Sequence, residues 1–139
     1  MGQREAMLDV IKRAYGARDG GDLEGLMDAF HAGAVFTLAG DQRSLEVAGT
    51  LRGHDAVREA MRGFIATFEF VERKILSEVV EGDRAAIHSL LTVRFVPSGE
   101  TRNVDVLDLM TFKDGKIAEL TEFADTAGIK DMIASAPTA

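Results

Sequence analysis

The stretch DVLDLMTFKDGKIAELTEFAD, residues 105–125, predicts two antiparallel strands joined by a tight turn. An Asp-Gly pair in KDGK, residues 113–116, separates two segments rich in apolar residues, which is typical of a β-hairpin. Successive side chains of a strand point to opposite faces. One face of the first strand is therefore predicted to carry Val104, Val106, Asp108, Met110 and Phe112.

Asp108 is the unexpected residue on this apolar face. A buried carboxylate without a partner is costly in free energy, or it stays protonated. Asp108 is therefore either a structural acid bonded to a neighbouring hydroxyl or backbone amide, or an acid that donates a proton or a hydrogen bond to a ligand. Asp105 lies on the opposite face, where we expect it to pair with Arg94 or Arg102.

Helical spacing of apolar residues predicts four helices around the strands. The first runs from Gln3 to Asp19, and Asp22 is placed to cap a second that ends near residues 31–33. The third covers residues 54–68 and a short fourth follows at 126–135. Strands are predicted at residues 34–40, 69–80, 85–96, 102–112 and 116–124, with a short extended piece at 45–51.

This order of elements predicts an α+β fold in which helices cover one face of a curved, mostly antiparallel sheet. No linker or repeat interrupts the chain, so we expect one domain spanning residues 1–139. The hairpin strands are apolar on both faces, with Leu107 and Leu109 opposite Val106 and Met110. A homodimer that covers the second face of the sheet is the simplest explanation.

Composition excludes several classes of function. The chain has 139 residues, a formal net charge of −7 and no cysteine. A nucleic-acid partner is not expected because phosphate binding needs a clustered basic surface, and thiol chemistry is excluded. Three scattered histidines and the absence of glycine-rich phosphate motifs predict neither a metal nor another cofactor. No segment is long enough to span a membrane, and we expect a cytoplasmic protein.

Three segments together resemble one family. They are YGARDGGDLEGLMDAFHAGAVF, GTLRGHDAVREAM and the 105–125 stretch leading into the last helix. The chain resembles the nuclear-transport-factor-2-like superfamily, in its SnoaL-like polyketide cyclase and ketosteroid isomerase branch. The resemblance implies a cone-shaped fold, with N-terminal helices against a curved sheet, a pocket inside the cone and usually a homodimer.

The resemblance also implies which residues form the site. In ketosteroid isomerases, an acid at the position of Asp108 stays neutral and donates a hydrogen bond to the substrate oxyanion. The isomerase general base falls at Leu38 and its phenol at or beside Tyr15, so the known steroid mechanism is not expected. Limonene epoxide hydrolases place their water-binding Asp at Glu122. Their other catalytic positions fall on Phe36, Leu38, Ser89 and Leu91.

The candidate catalytic residues are thus Asp108 as acid, Glu122 as possible base and Tyr15 as a phenol at the pocket wall. Two carboxyls facing one cavity can divide into an acid and a base. Asp125 replaces Glu122 if the strand register slips by one, and Tyr15 is otherwise a core residue. The predicted pocket wall, which would suit a small hydrophobic ligand, comprises Phe36, Leu38, Met61, Phe64, Ser89, Leu91, Val106, Met110 and Leu120.

Two functions remain open from the sequence. The first is an isomerase, cyclase or hydrolase acting on a polyketide-, steroid- or terpenoid-like molecule through Asp108. The second is a module that binds a small ligand or dimerises without chemistry. It fits the loss of the relatives' catalytic groups at Phe36 and Leu38.

Overall fold

A computed structural model describes residues 2–137 and shows a six-stranded sheet with four helices. The elements in chain order are α1 (Gln3–Asp19), α2 (Leu23–Asp28), β1 (Phe30–Leu38), β2 (Gly49–Arg52), α3 (His54–Thr67), β3 (Phe68–Glu81), β4 (Arg84–Phe95), β5 (Thr101–Lys113), β6 (Lys116–Ala124) and α4 (Thr126–Ala134). The strand order in the sheet is β2-β1-β6-β5-β4-β3. Within these residues, β1 and β6 pair in parallel, and every other neighbouring pair is antiparallel.

This architecture confirms the predicted α+β fold with a curved, mostly antiparallel sheet. The predicted cap is also present, because the Asp22 side chain accepts a hydrogen bond from the backbone N–H of Gly25 at 3.0 Å. The β5–β6 hairpin turns through Asp114 and Gly115, which both have positive φ, at 53° and 75°. The Asp-Gly signal in the sequence therefore specified a turn of the expected kind.

Two boundaries differ from the sequence-based prediction. Helix α2 ends at Asp28 and β1 begins at Phe30, four residues before the predicted start at residue 34. Phe30 is buried in either arrangement, and as a strand residue it pairs with Ile117 of β6. The extended piece predicted at 45–51 is strand only from Gly49, where β2 begins, and residues 45–48 are turn and loop.

The core lies between the helices and the concave face of the sheet. The inward residues of β4 and β5 alternate with less buried ones along nearly the whole length of each strand. Helix α1 buries Met7, Ile11, Ala14, Tyr15 and Arg18 against this face. No helix among residues 2–137 has both the length and the apolar character needed to cross a membrane.

Candidate functional site

A cavity lies inside the cone, between the four helices and the concave face of the sheet. Its volume is about 100 Å³, which is smaller than the volume of about 150 Å³ of an apolar cavity known to bind benzene. Val47 lines the cavity and is 39% exposed, so the cavity meets solvent there. The predicted wall residues found in its lining are Phe36, Leu38, Met61, Phe64, Leu91, Val106, Met110 and Leu120.

Ser89 is the predicted wall residue that does not line the cavity. It faces inward on β4 and is 1% exposed, but the cavity wall does not include it. Its Oγ atom is buried and has no hydrogen-bond partner within residues 2–137. Strand alternation predicts that Ser89 points inward. It does not predict whether Ser89 reaches the cavity wall, because that depends on the curvature of the sheet.

Tyr15 and Asp108 meet inside the cavity. The Tyr15 hydroxyl, on α1, donates a hydrogen bond of 2.6 Å to Oδ2 of Asp108, on β5. Asp108 is 3% exposed, and its Oδ1 atom has no hydrogen-bond partner in the described chain. Burial and the neighbouring Asp108 charge together raise the pKa of Tyr15, so the phenol stays a donor at physiological pH.

Glu122 lies beside Asp108, because the two residues are direct partners in the β5–β6 ladder. Glu122 is half-buried and lines the cavity, so it keeps surface that a ligand can reach. Its predicted alternative, Asp125, instead caps α4 by accepting a hydrogen bond from the Gly128 N–H at 3.1 Å. The strand register thus places Glu122, not Asp125, in the cavity.

The two carboxyls affect each other's protonation. Burial, followed by the charge and proximity of Asp108, raises the pKa of Glu122 well above its usual range. Burial also raises the pKa of Asp108, but there the Tyr15 hydroxyl, the Glu122 carboxyl and the Arg73 charge oppose the rise. The pair therefore retains a proton at pH values where two separate carboxyls are ionised, and the Tyr15 hydroxyl, which donates to Asp108, favours the ionised form of that residue.

Two arginines that the sequence analysis did not select also line the cavity. Arg18, on α1, is 8% exposed and lies with its guanidinium carbon 3.6 Å from the centroid of the Phe70 ring. Its Nη2 atom donates to the backbone carbonyls of Phe64, at 3.3 Å, and Phe68, at 2.6 Å. Burial lowers the pKa of Arg18 to about 10, so it remains a cation at neutral pH.

Arg73, on β3, holds Asp19 through two hydrogen bonds, from Nε at 2.9 Å and from Nη2 at 2.8 Å. Its guanidinium stacks 3.8 Å from the centroid of the Tyr15 ring. Burial tends to lower the pKa of Arg73, but the bonds to Asp19 and its charge outweigh burial and raise it. Arg73 thereby fixes the ring that donates to Asp108.

The rest of the cavity wall is almost entirely apolar. Phe36 and Phe64 pack edge to face, with ring centroids 6.0 Å apart. The ionisable or hydroxyl-bearing lining residues are the two arginines, the two acids and Tyr15. Among residues 2–137, no three His, Asp or Glu side chains converge in a way that could hold a metal ion.

Asp105, on the outer face of β5, has a different partner from those predicted. It pairs with His88 at 2.9 Å, whereas Arg94 pairs with Glu69 and Arg102 with Glu100 and Asp131. His88 and Asp105 project side by side from neighbouring strands, diagonally across the β4–β5 ladder. Both lie on the sheet face away from the cavity and take no part in the site.

Comparison with known structures shows the same fold. A protein from Bacillus subtilis, provisionally classed as an isomerase, superposes with a TM-score of 0.87 at 11% identity, covering 98% of each chain. TerC, co-crystallised with polyporic acid, gives 0.76 at 20% identity over 94% of this chain and 99% of that one. An LEH-like epoxide hydrolase from M. tuberculosis gives 0.72 at 16% identity over 95% and 90%.

Sequence comparison identifies the family. No protein of curated function matches the chain. The SnoaL-like domain matches residues 11–120, which extend from α1 into β6 and include most of the cavity wall. The chain therefore belongs to the SnoaL-like domain family.

Proposed function

We propose that the chain binds a small, mostly apolar ring molecule in the cone and transfers a proton on it, as in an isomerisation or ring closure. The observation that carries the proposal is the Asp108–Glu122 carboxyl pair, enclosed by an apolar wall and bonded to Tyr15. Two adjacent carboxyls that retain one proton supply a general acid and a general base in one site. The chemistry requires no cofactor.

The geometry favours roles opposite to those expected from the sequence. The Tyr15 hydrogen bond and the Arg73 charge both favour the ionised form of Asp108, so Asp108 is the better base. Glu122 keeps its proton more firmly and has accessible surface, so it donates to an oxygen atom of the ligand. In the transfer, the Asp108 carboxylate takes the proton from the carbon next to the carbonyl group, and Glu122 protonates the developing enolate oxygen.

The relatives support a ring compound as the ligand class. TerC was crystallised with polyporic acid, and other structures of this fold are classed as isomerases or an epoxide hydrolase. The apolar wall suits polyketide- or terpenoid-like molecules alike, and the volume of about 100 Å³ favours a one- or two-ring compound over a steroid. Epoxide hydrolysis has less support here, because Ser89 lies behind the cavity wall and Leu91 cannot orient a water molecule.

Deuterium exchange tests this proposal without knowledge of the natural substrate. Cyclic ketones such as 1-indanone, 1-tetralone and 2-decalone are incubated with the protein in D₂O, and NMR follows exchange next to the carbonyl group. We expect the wild type to exceed the buffer rate, with a bell-shaped pH profile, because one carboxyl must be ionised and the other protonated.

A matched pair of variants tests the assignment to the carboxyl pair. Asp108→Asn removes the base and should slow exchange by about 10²–10⁴-fold. Asp105→Asn changes the outer face of the same strand and should leave the rate unchanged. Equal rates in the wild type and Asp108→Asn would refute the proposed chemistry.

A second function, ligand binding without chemistry, is favoured by one observation. Phe36 and Leu38 occupy the wall where related enzymes keep proton-moving groups, so no third group assists the carboxyl pair there. Binding of the ring compounds without exchange would establish this alternative. A homodimer through the outer sheet face is part of either proposal, because Leu109 and Phe123 are exposed on that face, and sedimentation would test it.

A further inference from the structure

Two guanidinium groups lie in the cavity wall around the same aromatic ring. The guanidinium carbon of Arg18 is 3.6 Å, and that of Arg73 5.6 Å, from the centroid of the Phe70 ring. The charge of Arg73 disfavours that of Arg18, so the two cations repel each other. Burying a charge is costly in free energy, so two cations in the wall are not expected in a cavity that binds only a neutral hydrocarbon.

Only one of these two cations has a direct carboxylate partner within residues 2–137. Asp19 pairs with Arg73, and no carboxylate among residues 2–137 lies within 4.0 Å of Arg18. Neither Asp108 nor Glu122 forms an ion pair with an arginine, and the pair retains a proton. Arg18 therefore has no direct ion-pair partner, although the charge of Glu122 favours its protonated form from a longer distance.

Arg18 also has donor capacity that its structural role does not use. Both of its hydrogen bonds leave from Nη2 and satisfy carbonyl groups at the C-terminal end of α3, which stabilises that helix end. A guanidinium carries five N–H groups, and three of them belong to Nε and Nη1. Those atoms donate to no residue of the described chain, although Arg18 lines the cavity.

We infer that the ligand of this cavity carries a carboxylate, which Arg18 binds with the support of the Arg73 charge. The ligand class is then an aromatic or alicyclic acid whose ring contacts the apolar wall and whose carboxylate lies at the Phe70 end. A carboxylate would give Arg18 the direct ion pair that it lacks, and a charge-assisted hydrogen bond in a buried site is stronger than a neutral one. This inference rests on the proposed ligand site, but not on proton transfer.

Paired acids and amides test the inference by titration calorimetry at pH 7 and low salt. Benzoate and 2-naphthoate are compared with benzamide and 2-naphthamide, which have nearly the same shape and no charge. We expect the wild type to bind each acid at least about tenfold more tightly than its amide. Amides that bind as tightly as the acids would overturn the inference and leave the ligand site intact.

Variants of Arg18 assign the preference to this side chain. Arg18→Gln should bring acid and amide affinities close together, and Arg18→Lys, which keeps the charge, should retain part of the difference. Arg94→Gln, on the outer face of β4, should retain all of it. An undiminished preference in Arg18→Gln would place the carboxylate elsewhere. If neither acids nor amides bind the wild type at millimolar concentration, the ligand site itself is refuted as well.

Discussion

Glu122→Gln is expected to slow the deuterium exchange of the cyclic ketones by about 10²–10⁴-fold. At neutral pH the same substitution is expected to stabilise the folded chain. The rate falls because an amide cannot deliver a proton to the ligand oxygen as a carboxylic acid does. Stability rises because burial and the neighbouring Asp108 charge raise the pKa of Glu122, so that ionisation favours the unfolded chain. Loss of activity with a gain in stability is typical of a strained functional site.

The pH dependence of stability gives this prediction a definite sign. Below the usual Glu pKa of 4.5, the side chain is protonated in both the folded and the unfolded chain. As the pH rises above that value, the unfolded chain releases the proton while the folded chain keeps it. The free energy of unfolding therefore falls by up to about 1.4 kcal/mol per pH unit until the folded pKa is reached.

Chemical denaturation between about pH 4 and pH 8 measures this effect. Glu122→Gln should show a shallower fall in stability with rising pH than the wild type, with the Asp108 contribution remaining. Glu119→Gln, an exposed position on the same strand, should match the wild type in both stability and exchange rate. If the free energy of unfolding of Glu122→Gln changes with pH as steeply as that of the wild type, Glu122 ionises normally in the folded protein.

Arg73→Met is expected to reduce the free energy of unfolding by about 3 kcal/mol. The Arg73 side chain is 9% exposed, and its two hydrogen bonds hold Asp19, which is 28% exposed. Methionine preserves apolar contact but leaves the Asp19 carboxylate without its partner. It also removes the cation stacked on Tyr15, which holds the phenol against Asp108.

The matched control is the exposed ion pair between Arg13 and Asp9 on α1, with side chains 68% and 53% exposed. Arg13→Met should cost less than about 1 kcal/mol, because water screens the charges and solvates the remaining carboxylate. Urea denaturation of both variants provides the comparison. Equal, small effects would mean that the Arg73–Asp19 pair contributes no more than a surface contact.

The inward position of Asp108 was predictable because β5 alternates regularly along its length. Regular pairing through the two-residue Asp-Gly turn would place Thr121 opposite Asp108. The register irregularity between Thr111 and Phe112 shifts β6 by one residue, so that Glu122 becomes the ladder partner of Asp108. Local sequence thus specified one carboxyl of the site, and the irregularity in the hairpin brings the other beside it.

The arginines could not be predicted in the same way. Arg18 follows Met7 and Ile11 at helical spacing, so the sequence pattern placed it on the buried face of α1. An arginine at such a position is normally expected to reach solvent, which argues against that placement. Arg73 had no such signal. Uniform alternation from Phe70 would turn it outward, but the register shift between Phe70 and Glu72 brings it back to the cavity face.

Direct titration of the two carboxyls tests the central claim, that Asp108 and Glu122 share a retained proton inside an apolar cavity. In protein labelled with ¹³C at the side-chain carboxyls, NMR follows each group from acid to alkaline pH. We predict that both titrate above their usual ranges, Glu122 more so, and that Asp108→Asn lowers the pKa of Glu122. Ordinary, independent pKa values for Asp108 and Glu122 would contradict the account.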